Sequence, residues 1–124
     1  MQPLQLSDRV VRNAAFISLL CTASPAQRRA LIETASKDQI DTLCEIALNT
    51  RDGNIDASPE QIKALRRHRD RVIFLADKRV PWTEKKEDLE QSGGFLPILA
   101  AVLAPVIGGA LGAVTDHYVR KAMN

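Results

Sequence analysis

From Phe95 to Thr115 the chain carries no charged side chain. This run of 21 residues, opened by Gly93-Gly94-Phe95-Leu96-Pro97, limits the available folds more than any other stretch. At about 1.5 Å rise per residue, a helix of that length reaches roughly 30 Å, the thickness of a bilayer's hydrocarbon core. Ten of its residues are Leu, Ile, Val or Phe. These favour insertion by roughly 3 to 6 kcal/mol in total, and Pro97, Pro105, Gly108, Gly109 and Gly112 erode that sum. The run can span, marginally. Pro105 has no N–H to give the carbonyl of Ala101 and crowds it, which predicts a kink or two half-helices there.

Ala100, Ala104, Gly108 and Gly112 recur every four residues and place one smooth stripe on a helix. Such a stripe admits another backbone at close range, in lipid or in a dry interface. Together with Phe95 and Leu96 it forms the candidate surface for a membrane or a partner. The alternative is a central helix of the chain's own bundle, with the glycines permitting tight packing. Gly93-Gly94 reads as a free hinge, so residues 93–124 are expected to be oriented independently of what precedes them.

The preceding part predicts an all-α fold. It is read as a small bundle of about four helices over residues 7–79, with 1–80 as the bundle unit, then a charged connector over 81–92 and the hydrophobic C-terminal helix. Ser7 precedes a pattern of apolar residues stepping by three and four (Val10, Val11, Ala14, Ile17, Leu20, Cys21), which predicts one helix over 8–22. Ser24 with Pro25 and Gln27, Ser36 with Gln39, and Ser58 with Pro59 and Gln61 spell three capping-box starts. The second helix, about 25–35, is expected to bury Ala30, Leu31 and Ala35. The third, about 37–50, presents Ile40, Leu43, Cys44, Ala47 and Leu48 on one stripe. Gly53 supplies the turn after it. The fourth is predicted as one helix from Pro59 to Lys78, with Ile62, Leu65, Val72, Ile73 and Ala76 facing inward. Val80-Pro81 ends it. Trp82 is expected to pack across the end of the bundle. Thr83 can cap a short, solvated helix of mixed charge running through Leu89.

Charge is unevenly placed. Residues 1–62 carry 6 basic and 8 acidic groups, residues 63–86 carry 9 and 3, and residues 87–124 carry 2 and 4. The positive segment makes Lys63, Arg66, Arg67, Arg69, Arg71, Lys78 and Arg79 candidates for contact with a nucleic-acid phosphate backbone. Asp70 and Asp77 interleave and no aromatic platform accompanies the cluster, so contacts are expected to lack sequence preference. A simply solvated helix face is the competing reading.

Catalytic signals are absent. The chain has no Gly-rich phosphate loop, no paired histidines at helical spacing and no nucleophile elbow. Asp38, Asp41 and Glu45 can share a helical face, which suits solvation and the helix dipole better than chemistry. Cys21 and Cys44 lack metal-ligand spacing to His68 or His117 and read as buried free thiols in a reducing compartment. No enzyme activity, metal or cofactor is expected. The first residues show no secretory pattern, since Asp8, Arg9, Arg12 and Asn13 interrupt them.

Several motifs together resemble short proteins of Maverick/Polinton elements and adintovirus-like viruses. They are Leu43-Cys44-Glu45-Ile46-Ala47-Leu48-Asn49, Gly53-Asn54-Ile55, Leu65-Arg66-Arg67-His68-Arg69, Leu75-Ala76-Asp77-Lys78-Arg79-Val80 and Gly93-Gly94-Phe95-Leu96-Pro97 before an apolar tail. The likeness covers about residues 24–110. The last motif is also similar to the carboxyl end of the adenovirus core peptide precursor. The resemblance implies a minor virion or core-associated structural protein, located in the virion and inside the host cell. Its partners would be nucleic acid, capsid proteins or further copies of itself, with a membrane contact through the C-terminal segment. It also implies Gly93-Gly94 as a candidate processing site for a maturation protease. The alternatives are a membrane-active viral protein, inserting or lytic, and a helical protein–protein adaptor.

Overall fold

Three serines start three helices by the same local chemistry. In the computed structural model, which describes residues 7–55 and 57–104, Ser24, Ser36 and Ser58 each accept from the N–H of the glutamine three residues on at 3.2 Å. Each glutamine side chain in turn accepts from the serine N–H at 2.9 to 3.0 Å. Two otherwise orphaned donors are satisfied at each start. These caps open α3 (Pro25–Glu33), α4 (Lys37–Arg51) and α5 (Pro59–Arg66). Ser7 caps α1 (Asp8–Arg12) by accepting from Val10 N. After α1 come α2 (Ala14–Thr22), and after α5 come α6 (Arg69–Ala76), α7 (Trp82–Ser92), a 3-10 turn at Gly93–Phe95 and α8 (Leu96–Ala101). Every regular element among the described residues is helical.

The expected first helix is broken at Asn13. Its side-chain Nδ2 donates to Arg9 O at 2.9 Å, to Asp38 Oδ2 at 2.8 Å and to Thr42 Oγ1 at 3.0 Å. An amide competing with the backbone in this way favours a break over a continuous helix. The bend lets α1 lie on α4 while α2 turns toward α8. The expected fourth helix is likewise two helices, α5 and α6. Arg67 and His68 donate to the carbonyls three residues back, at 3.3 and 2.9 Å, which tightens the end of α5 and turns the chain. The corner sends α5 onto α8 and α6 onto α4. It also changes which residues face inward: Leu65, Val72, Leu75 and Ala76 are buried, whereas Ile62 and Ile73 are 43% and 39% exposed. In α3 the inward residue is Ile32, fully buried, with Ala30 on the surface.

The charged stretch 81–92 is a packed helix, not a solvated connector. α7 lies on α3 and α4 and buries Lys85 and Leu89. Lys86 Nζ donates to Ala35 O at 3.1 Å, and Asp88 pairs with Arg71 at 2.6 Å. Gly93-Gly94 then continues the helical path through the 3-10 turn into α8, and Gly93 is buried. The pair is therefore a helical junction in this fold, where a free hinge was expected.

The opening of the apolar run is the centre of the core. Phe95, Leu96, Leu99 and Ala100 are at most 1% exposed, Val102 and Leu103 are buried, and they join Ile17, Leu20, Ile32, Ile40, Leu43, Ile46 and Leu75 in one cluster. α8 packs chiefly on α2, with α4 and α5 beside it. Phe95, Leu96 and Ala100, expected to meet a membrane or partner, thus lie in the chain's own interior. The physical reason is area: burial against the apolar side chains of α2, α4 and α5 removes these residues from water within the chain itself. Ala104 is exposed at the end of the described segment. Pro105, Gly108, Gly109 and Gly112, and with them half of the smooth stripe, lie outside the described residues. No helix among the described residues is long and apolar enough to cross a membrane.

Candidate nucleic-acid interface

The α5–α6 corner is seated on the apolar core through His68, whose ring stacks on Phe95 with centroids 6.0 Å apart and planes 29° apart. Around that anchored corner, Lys63, Arg66, Arg67 and Arg69 are all exposed. None of the four forms an ion pair among the described residues. Arg66 lies at the C-terminal end of α5, where a cation suits the helix dipole, but Arg69 stands at the first position of α6, where it opposes it. The His68 side chain makes no capping bond to α6. The result is an exposed cluster of point charges, with Asp70 among them, suited to an anion and poorly suited to reading base edges.

The other sequence candidates are placed differently. Arg71 is half-buried and donates to Asp88 Oδ1 at 2.6 Å, tying α6 to α7. Arg79 closes on Asp77, its N and Nε on Oδ1 and its Nη2 on Oδ2, all at 3.0 Å. Those bonds lower the Asp77 carboxyl to about 2 and raise the Arg79 guanidinium. Lys78 is exposed beside them. The structure therefore gathers Lys63, Arg66, Arg67 and Arg69 at one corner, with Arg71 beside them in the first turn of α6 but paired with Asp88, and leaves Lys78 and Arg79 beyond the end of α6, Arg79 already paired with Asp77.

The sequence reading missed Arg51. It ends α4 and, with Arg66, Arg69, Ile62, Val72 and Ile73, lines a groove of about 370 Å³ between α4, α5 and α6. A basic residue in the last turn of a helix is ordinary dipole matching, so its position beside the corner could be found only from packing. Lys85 was also read as solvated and is 4% exposed. Gly93 faces the interior near Leu96, and Gly94 is on the surface with open space around it.

Among the described residues, no group of three or more His, Cys, Asp or Glu is placed to hold a metal ion. The Cys44 thiol is pushed up by burial, partly offset by the nearby Lys85, and burial also raises the Cys21 thiol. No protein-family model, curated protein or solved structure matches the chain.

Proposed function

We propose that the chain is a non-enzymatic structural protein of a virus particle, core-associated or a minor capsid component, whose helical module tethers nucleic acid. The observation that carries this reading is the set of four exposed, unpaired cations, Lys63, Arg66, Arg67 and Arg69, around a corner held rigid by the His68–Phe95 stack. Rigid, uncompensated positive charge is what binds a phosphate backbone, and it does so without sequence preference. The resemblance to Maverick/Polinton and adintovirus-like proteins supports the particle setting. In this reading the basic module is the helical bundle, with its charge on α5 and α6. The anchoring element, to capsid, to another copy or to a membrane, is what remains of the hydrophobic segment expected over residues 93–124 once its opening is buried in the core, and it lies outside the described residues. Processing at Gly93-Gly94 belongs to the same setting and requires the 3-10 turn to open first.

The test is a titration of labelled duplex DNA at several salt concentrations. Four phosphate contacts give log K against log salt a slope of about −3 to −4. Absence of binding at low salt, or binding indifferent to salt, sinks the tether.

The groove favours a second reading, a helical adaptor. Its apolar floor includes the exposed Ile62 and Ile73, and its rim carries Arg51, Arg66 and Arg69. An acidic, apolar-anchored helix of a capsid protein fits that chemistry. Loss of capture of such a partner on Ile73→Glu, with DNA binding retained, separates this reading from the first.

A further inference from the structure

At the end of α6 away from the basic corner, Ala76 and the chain from Lys78 to Trp82 close a cleft of about 480 Å³ against α4. That volume lies within the range of roughly 300 to 1,000 Å³ typical of small-molecule sites. Its lining combines the apolar Leu48, Val80, Pro81 and Trp82 with four cations, Arg9, Lys37, Lys78 and Lys85, and two carboxylates, Asp41 and Glu45. Both carboxylates are engaged: Asp41 accepts from Lys37 at 2.7 Å, and Glu45 accepts from Ser7 Oγ at 2.7 Å. The lining therefore holds an excess of two positive charges.

Two of these cations have bonding capacity that the described chain does not use. Lys85 is 4% exposed, yet it forms no ion pair with any carboxylate among the described residues. Its neighbour is the Cys44 thiol, a weak acceptor. Arg9 is different: its side chain is 42% exposed and pairs with Asp38 at 3.5 Å, while its Nε makes no hydrogen bond among the described residues. Keeping a largely buried ammonium such as that of Lys85 without a strong acceptor is costly. Lys85, with the partly exposed Arg9 lining the same cleft, marks a place where an anion from outside completes the bonding.

We propose that this cleft binds a phosphate monoester carrying a flat organic body, with Lys85 and Arg9 holding the dianion and Trp82 packing against the body. A dianion matches the twofold excess of positive charge, which a single carboxylate leaves half unmet. Trp82 is held for this contact: the Lys86 ammonium, tethered to Ala35 O, sits 5.9 Å from the centroid of its ring. The inference stands apart from the tether reading, because none of the four corner cations lines this cleft.

Trp82 is the single tryptophan of the chain, so its fluorescence reports on the site directly, with calorimetry as a second measurement. Adenosine monophosphate is the probe, and inorganic phosphate and adenosine separate headgroup from body. The expected result is a saturable change with the nucleotide at millimolar concentration or below, and weaker binding of either part alone. Lys85→Met and Arg9→Gln should each weaken nucleotide binding roughly 10- to 100-fold, as expected for loss of a charged hydrogen bond. The corner variant Arg66→Gln/Arg67→Gln should leave it unchanged. Because an exposed-chain substitution at Arg9 is the milder change, it decides the matter if Lys85→Met does not fold. No saturable response to the nucleotide, or wild-type affinity in Arg9→Gln and in any folded Lys85→Met, overturns the proposal. Phosphate binding as tightly as the nucleotide removes Trp82 from the site and also overturns it.

Discussion

The side chain of Gln61 joins the start of α5 to the end of α8 by donating from Nε2 to the carbonyl oxygen of Ala101 at 3.3 Å. Its Oε1 accepts at the same time from Ser58 N at 3.0 Å, so one side chain serves a capping box and a second helix's end. Ala101 is the last residue of α8, so its carbonyl is one of those a helix end leaves without a donor from its own helix. A helix start and a helix end forty residues apart are thus joined by a single amide.

Gln61→Glu tests that double duty. Glutamate is as good as glutamine in a capping box, but it cannot donate to Ala101 O and brings a carboxylate to a carbonyl. A loss of about 0.5 to 1.5 kcal/mol is expected by urea unfolding, from the loss of one part-buried hydrogen bond. A variant as stable as wild type shows that Ala101 O finds another donor.

Acid sensitivity is expected at the α1–α4 junction. Arg12 binds Asp38 through Nε to Oδ2 at 2.9 Å and Nη2 to Oδ1 at 2.8 Å. With the Asn13 amide, these bonds hold the Asp38 carboxyl well below its ordinary value of 3.8. A depressed carboxyl stabilises the fold above its unfolded pKa and loses that contribution as pH falls through the folded one. Asp38→Asn should therefore melt below wild type at neutral pH, with the gap narrowing progressively below pH 3.8. Thermal melts across the acid range check this, and a gap independent of pH contradicts it. Asp77 titrates in the same acid range in both proteins and cancels from the comparison.

Leu99 lies in α8 with no exposure. Truncation to alanine should cost about 2 to 5 kcal/mol, the range for a buried leucine. A loss under about 0.5 kcal/mol, typical of surface positions, indicates that this part of the apolar run is not in the core in solution.

The two glycines of the junction should respond oppositely. A Cβ at Gly94 meets nothing within 4 Å, so Gly94→Ala should stabilise by about 0.4 to 1 kcal/mol through the unfolded chain. A Cβ at Gly93 meets Leu96 Cδ1 at 3.2 Å, so Gly93→Ala must push a core leucine and should destabilise. Equal effects in both variants, measured by urea unfolding, argue for a free hinge.

DNA binding should separate unpaired from paired cations. Each substitution to glutamine at Arg66, Arg67 or Arg69 should lower the salt slope by about 1. Arg71→Gln and Arg79→Gln should change it less, because those guanidiniums already hold Asp88 and Asp77. Equal slopes across the five variants contradict a localised patch.

The capping boxes at Ser24, Ser36 and Ser58 were legible because every atom involved lies within four residues. The end of α4 at Gly53 was legible for the same reason: its φ of +72° needs a residue without a side chain. The basic character of the corner could also be read directly. The break at Asn13 could not, because the acceptors that hold its amide, Asp38 and Thr42, are twenty-five or more residues away. Nor could the split at Arg67–His68, since its inward residues are set by which neighbours α5 and α6 meet. The pairing of Arg71 with Asp88 and the burial of Lys85 likewise depend on α7 docking, and a string of mixed charges reads as solvated until it docks.

Helix class, helix starts and the location of positive charge follow from short-range steric and hydrogen-bonding rules, and residue order alone is enough to state them. The fate of the greasy stretch from Phe95 to Leu103 does not follow from order. Apolar area is non-directional, and the same nine side chains satisfy it equally in lipid, on a partner or against α2, α4 and α5. Only the three-dimensional arrangement chooses among them, because only there do Ile17, Leu20 and Leu43, far earlier in the chain, gather with that stretch into one buried cluster.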